Sequence, residues 1–293
     1  MAIYEIVPNL SEGRDATAID EAIDAVEATG ARVLDRTSDR IHHRSVLTIA
    51  GNAQHVLDAA VAVAGVASQR IDLRTHRGVH PRIGALDVLP FVPLRGGTME
   101  EAVRLAHAAG SLIWERYGVP SFFYAQAART PQRALLADVR RGGFEGLPAR
   151  FNDPAWKPDC GEIAMHPSAG AIAIGARPIL VAFNIELDSG DLGIARAIAR
   201  QLRERDGGLK SVRALGLRLR DDVVQVSLNI TDYHATPLHR IVELVDRLAR
   251  DRGTRILRSE PIGLLPREAV ATAAHYYLGT LETSPASESI STS

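Results

Sequence analysis

The sequence is poor in the groups that would tie it to an oxidising compartment, a membrane or a nucleic acid. One of its 293 residues is a cysteine, Cys160, so an intrachain disulfide and a thiolate metal cluster are both excluded. No apolar stretch reaches the ~18 residues that a membrane span requires. The segment Met1-Ala2-Ile3-Tyr4-Glu5 lacks the basic start and apolar run of a secretory signal. Without such a signal, Asn9-Leu10-Ser11 and Asn229-Ile230-Thr231 match the glycosylation pattern only by chance. Neither sign of charge prevails: 34 Lys and Arg stand against 35 Asp and Glu, a formal net charge of −1 at pH 7. That balance exerts no general pull on DNA, RNA or anionic lipid, and it leaves room for a local basic pocket. A nucleophile elbow, a phosphate-cradling loop and a dinucleotide fingerprint are all missing. The expectation is a cytoplasmic protein with no nucleic-acid or membrane partner.

What is present is an ordinary globular balance, 46% hydrophobic and 24% charged residues, over a length that suits two modest domains. Tyr4 to Val7 reads as a strand, followed by a helix through Ile19, Ile23 and Val26 that Gly30 stops. Arg32 to Asp35 and Ser45 to Ala50 read as strands, Ala53 to Ser68 as a helix, and the run through Leu86, Val88 and Phe91 as a strand. This β-α-β-β-α-β order is the ferredoxin-like arrangement. One α-β unit follows, with Thr98 and Glu101 as a capping box and Ser121 to Ala125 as the strand. Nine glycines and prolines then interrupt residues 143 to 176, which predicts an irregular stretch of the kind that serves as a binding loop. The order repeats from Ile179 to Ile262, with Thr236 as cap and Pro237 at the first helical position of its second helix. The fold class expected is α+β: two ferredoxin-like α/β sandwich subdomains with antiparallel-rich sheets. Their bounds are 1–178 and 179–282, and the polar segment 283–293 is expected to be a disordered tail.

Two predicted loops concentrate chemistry. One is Asp35-Arg36-Thr37-Ser38-Asp39-Arg40-Ile41-His42-His43-Arg44, the other Thr75-His76-Arg77-Gly78-Val79-His80-Pro81-Arg82. Together they hold four of the ten histidines, and loops on a rigid scaffold are where reactive groups gather. Arg44, Arg77 and Arg82 suit a substrate with two carboxylates, each able to grip one through a two-pronged contact. Nearby arginines disfavour the charged form of His80 and keep it able to accept a proton near pH 7. His76 and His80 have i, i+4 spacing, but Gly78 and Pro81 oppose a helix there and no Glu completes a zinc-protease pattern, so no metal is expected. A surface decoration of histidines and ordinary ion pairs is the plain alternative for the same residues.

At these residues a resemblance becomes specific. Val7-Pro8-Asn9-Leu10-Ser11-Glu12-Gly13, His80-Pro81-Arg82-Ile83-Gly84-Ala85-Leu86-Asp87-Val88, Met99-Glu100-Glu101 and Val181-Ala182-Phe183-Asn184-Ile185 occur in this order. Over nearly residues 1 to 280 the chain resembles the formiminotransferase domain family, which includes glutamate formimidoyltransferases and the bifunctional formiminotransferase-cyclodeaminases. The resemblance implies transfer of a formimino group from N-formimino-L-glutamate to tetrahydrofolate as cosubstrate. It further implies a homodimer, folate held between subdomains, and a functional link to a separate cyclodeaminase. The family's catalytic histidine maps onto His80. Arg44, Arg77, Arg82, Asp35, Asp39 and Glu12 fall to the substrate. The folate stretch maps onto Gly161, Glu162, Ile163, Ala164, Met165, His166, Pro167, Ser168, Ala169 and Gly170. The chain departs from the family at Thr37, where the family is acidic, and at Ala169, where it is aromatic. The alternatives are formyl transfer between 5-formyltetrahydrofolate and glutamate, and a non-catalytic module that binds folate or another small ligand, since fold alone does not fix function.

Overall fold

The computed structural model describes residues 1–40, 42–78 and 81–280. His80 and the segment 283–293, on which expectations rest, therefore lie outside the described residues. The chain divides into two units, the first Met1–Ile179 and the second beginning at Leu180.

The first unit runs β1 (Tyr4–Ile6), β2 (Asn9–Leu10), α1 (Ala16–Glu27), β3 (Arg32–Asp39), β4 (Arg44–Gly51), α2 (Ala53–Arg70), β5 (Leu86–Pro93), α3 (Met99–Tyr117), β6 (Ser121–Ala125), α4 (Leu136–Val139), α5 (Gly143–Phe151) and β7 (Ile172–Ala176). Each long helix starts on a side-chain cap that satisfies free backbone N–H groups. Asp15 accepts from Thr17 and Ala18, Asn52 from His55, and Thr98 from Glu101. The strand predicted from Tyr4 to Val7 is β1; β2 lies beyond Pro8, where the sequence reads as a turn, and shares the same neighbours, β4 and β5. With β1 and β2 counted as one strand, the order β3-β4-β1/β2-β5 is the ferredoxin-like one, all antiparallel. Leu47 and Ile49 of β4 are fully buried, in one core cluster with Ile19, Val26, Val56 and Ala60 of α1 and α2. The alternate positions carry the polar groups: Asp35 pairs with Thr48, Thr37 with Val46, and Asp39 with Arg44.

The stretch expected to be irregular is so between residues 152 and 171, apart from a single 3-10 turn at Pro154–Trp156, but not at its two ends. Residues 143–151 form α5 and residues 172–176 form β7, a strand parallel to both β5 and β6 that fills the place between them. Every residue of β7 is buried. Its short run, Ile-Ala-Ile-Gly-Ala, lacks alternation because both faces are covered. Gly175 belongs to packing: a Cβ there would lie 2.5 Å from the Tyr124 ring. The chain between β6 and β7 is pinned by a buried ion pair of Arg133 and Asp159. Arg133 also donates to the carbonyls of Ala155 (3.0 Å) and Lys157 (2.6 Å), and Asp159 accepts from Phe123 N–H (2.8 Å).

The second unit runs β8 (Val181–Leu187), α6 (Leu192–Leu202), β9 (Val212–Arg218), β10 (Val224–Ile230), α7 (Leu238–Arg250), β11 (Ile256–Ile262) and α8 (Arg267–Tyr277). Its sheet order, β11-β8-β10-β9, is again ferredoxin-like and wholly antiparallel. It has its own core, built on Ile185, Ile198, Val226 and Ile241. Thr236 does not cap α7: its hydroxyl donates to the carbonyl of Lys210 at 2.7 Å, and Pro237 stands at the cap position instead. The helix α8 was not anticipated from the sequence. The α+β class with two sheets holds. Among the described residues no helix is long and apolar enough to cross a membrane.

Candidate functional site

A narrow, closely packed cleft lies at the end of the first sheet, where β2 ends and β4 and β5 begin. Leu10, Ser11, His42, His43, Arg44, His76, Arg82 and Asp87 line it. Both histidine-rich segments of the sequence thus converge on one place, although the first is less of a loop than expected: β3 runs on through Asp39 and β4 starts at Arg44. His43 and His76 stack with ring centroids 4.3 Å apart. The Nε2–H of His76 donates to the carbonyl of His43 at 3.1 Å, since a carbonyl can only accept. His43 itself has φ +53, a left-handed conformation, and its Nδ1 accepts from Gly13 N–H at 3.1 Å and stands 3.3 Å from Glu12. The Glu12 carboxylate accepts from Arg14 N–H (2.7 Å) and Asp15 N–H (2.9 Å), which locks it at the start of α1. Burial holds His76 below the ordinary imidazole range; the His43 and Arg82 charges add to this, while its bond to the His43 carbonyl and the Glu12 charge oppose it. Burial likewise depresses His43, against the pull of Glu12.

The arginines divide by role. Arg82 donates to Glu145 at 2.9 Å and to the carbonyl of His76 at 3.4 Å. Arg77 donates to the carbonyls of His76 (2.9 Å) and Arg74 (3.3 Å). Arg44 is pushed down to about 10 by burial and by the nearby Arg140 guanidinium, with Asp87 opposing. Asp87 sits at a bulge in β5, 2% exposed, and accepts from Ile83 N–H at 2.8 Å and from Arg140. Sequence reasoning named neither Arg140 nor Asp87 as a site residue. A signal existed for Asp87, a lone carboxylate in an otherwise apolar strand, which needs a buried partner. None distinguished Arg140 from the exposed Arg141.

Of the remaining candidates, Asp39 accepts from His42 through its backbone N–H (2.8 Å) and Nδ1 (2.9 Å), and Asp35 accepts from the Thr37 hydroxyl at 3.4 Å. The stretch from Gly161 to Gly170 is laid against the segment that follows Arg82. Ala85 N–H donates to Ala169 (2.9 Å), Ala171 N–H to Ile83 (3.0 Å), and Leu73 N–H to Ser168 (2.9 Å). His166 and Gly170 exchange two backbone bonds of 2.9 Å, and His166 Nδ1 accepts from Ala169 N–H at 3.0 Å. Glu162, Ile163, Ala164 and Pro167 are exposed, whereas Ala169 is buried. Two glycines permit this approach. A Cβ on Gly84 would meet the Ala171 carbonyl oxygen at 2.2 Å, and one on Gly170 (φ +70) the Ile83 carbonyl oxygen at 2.2 Å. Two motifs some eighty residues apart in sequence therefore form one structure. Among the described residues no group of three or more His, Cys, Asp or Glu side chains is placed to hold a metal ion.

Comparisons with known proteins follow the same division. The family described as "Formiminotransferase domain, N-terminal subdomain" matches residues 3–177, and "Formiminotransferase domain" matches residues 182–290. The glutamate formimidoyltransferase of Streptococcus pyogenes serotype M1 is 40% identical over 94% of this chain and 93% of its own. That of Thermoplasma acidophilum is 41% identical over 95% and 93%. The formimidoyltransferase-cyclodeaminase of Sus scrofa is 41% identical over 94% of this chain and 52% of its own length.

Proposed function

The chain belongs to the formiminotransferase family, and on that premise we propose that it transfers the formimino group of N-formimino-L-glutamate to tetrahydrofolate. The observation that carries this reading is the match to glutamate formimidoyltransferases over 93% of their length and 94% or 95% of this chain. N5 of tetrahydrofolate attacks the amidine carbon, a tetrahedral intermediate forms, and glutamate leaves through its amine. His80 accepts the N5 proton and returns one to the leaving nitrogen. Arg44 and Arg82 take the substrate carboxylates, with Arg77 beside them. Glu12, Asp35 and Asp39 orient the histidines or stabilise cationic character. The stretch from Gly161 to Gly170 contacts the folate, supported by its exposed residues and by its attachment to the segment that follows Arg82. Residues 1–178 and 179–282 act as the two subdomains of a cytoplasmic homodimer. The cyclodeaminase named in the Sus scrofa relative, of which this chain matches 52%, acts as a separate partner.

Steady-state turnover of formiminoglutamate with tetrahydrofolate tests the reading directly. His80→Ala should lower turnover by roughly 10²–10⁴-fold, the contribution of a positioned general base, with folate affinity and melting temperature nearly unchanged. Near-normal turnover in that variant would remove His80 from the mechanism.

A further inference from the structure

The stacked imidazoles hold an unspent acceptor. His76 is 5% exposed, its Nε2–H is committed to the His43 carbonyl, and its Nδ1 is buried with no hydrogen-bond partner. Because Nε2 must carry the proton to make that bond, Nδ1 is left bare in the neutral ring. A buried bare nitrogen forgoes the hydrogen bond it would make in water, a cost that a bound ligand can recover.

The loop is built to keep that nitrogen in place. The carbonyl of His76 receives both Arg77 and Arg82, its ring is stacked on His43, and Gly78 leaves no room beside it. A side chain at Gly78 would lie 3.0 Å from the His76 ring, 2.8 Å from the His43 side chain and 2.6 Å from the His42 carbonyl. The imidazole therefore cannot flip without losing the Nε2 bond, nor swing out of its plane without losing the stack.

Most other polar groups at the cleft are donors, among them the Arg44 and Arg82 guanidiniums. A formyl group ends in an oxygen that only accepts. A formimino group ends in a nitrogen that carries hydrogen, and it needs an acceptor. We propose that the bare Nδ1 of His76 is that acceptor, and that it selects a formimino donor over a formyl donor. This inference rests on the reading of the chain as a formimino transferase and names the residue that decides between its two one-carbon donors. A formyl oxygen placed there would face a lone pair and leave Nδ1 unpaired. A site built around one hydrogen bond rejects an analogue that cannot make it.

The groups that face His76 set the pH at which selection operates: His43 from the stack, Glu12, Arg82, and His42, Arg44 and Asp87 around the cleft. Burial keeps the ring neutral to lower pH than usual, so selection persists through neutrality and fades in acid, where Nδ1 becomes a donor.

The test compares two substrates on two proteins. His76→Gln keeps an N–H for the His43 carbonyl and removes the acceptor at the δ position. The ratio of kcat/KM for N-formiminoglutamate to that for N-formylglutamate, each with tetrahydrofolate, should fall roughly ten- to a hundredfold in the variant. In the wild type the same ratio should fall as pH drops below the ordinary imidazole range. A variant ratio equal to the wild type's would overturn the proposal, whatever happens to the absolute rates. Should the variant lose its cooperative melt, ¹⁵N NMR of histidine-labelled wild type decides instead. His76 Nδ1 should be unprotonated at neutral pH and shift on addition of N-formiminoglutamate but not of N-formylglutamate; a protonated Nδ1, or equal shifts, would overturn the proposal. A wild type that turns over neither donor would refute the transferase reading, and the NMR assignment would stand apart from it.

Discussion

Replacing one glycine by alanine at two sites of the first unit should move stability in opposite directions. At Gly170 the backbone has φ +70, and an added Cβ would lie 2.2 Å from the Ile83 carbonyl oxygen and 3.0 Å from the Phe144 ring. Holding alanine in the left-handed region costs about 1–2 kcal/mol. Forcing a methyl into a filled site costs about 1–3 kcal/mol more, because the neighbour is backbone and cannot rotate away. The total is about 2–5 kcal/mol, which in a unit of 150–250 residues lowers the melting temperature by about 4–20 °C. At Gly146, inside α5, a Cβ meets nothing within 4 Å. Alanine there restricts the unfolded chain and should stabilise by about 0.5–1 kcal/mol. Thermal unfolding followed by circular dichroism, confirmed by urea midpoints, reads both. Gly170→Ala should also weaken folate binding, because it parts the stretch from Gly161 to Gly170 from the segment beyond Arg82. A Gly170→Ala melting temperature indistinguishable from wild type, or an equal fall in Gly146→Ala, would refute the reasoning.

Asp159→Asn should destabilise the first unit by about 3–5 kcal/mol, since it leaves the buried Arg133 without its counter-charge; a urea midpoint near that of wild type would show the pair to be dispensable. Stability should also fall in mild acid. Burial holds His43, His76, His166 and His239 below the ordinary imidazole value, so the unfolded chain binds those protons more tightly than the folded one. The contribution is complete above about pH 6.5 and is lost as pH falls below it toward the depressed folded values. Equal urea midpoints at about pH 7.5 and 5.5, on either side of the free imidazole value, would contradict this.

Local signals carried most of the fold. Helical spacing at Ile19, Ile23 and Val26, β-branched runs such as Ser45 to Ala50, and the Thr98 cap each depend on residues within a turn or two of one another. Such short-range preferences are legible because they act before any tertiary contact forms. The two ends of residues 143–176, α5 and β7, misled for the converse reason. The glycines there do not break structure; Gly170 and Gly175 let backbone and rings approach from elsewhere, and β7 is a strand only because β5 and β6 flank it.

The same division holds at the site. The sequence by itself marked out two segments rich in histidine and arginine and, through its motifs, the family; the structure puts residues 35–39 in β3 and Arg44 in β4 rather than in a loop. The sequence also determined the two β-α-β-β-α-β units, because burying a face of period 3.6 or 2 requires no knowledge of the partner. Only the tertiary structure decided which groups meet: His76 with His43 across 33 residues, Arg140 with Asp87 across 53, and Gly170 with the Ile83 carbonyl. Those pairings arise from strand register and loop closure. They alone fix which imidazole nitrogen bears the proton and which is left bare.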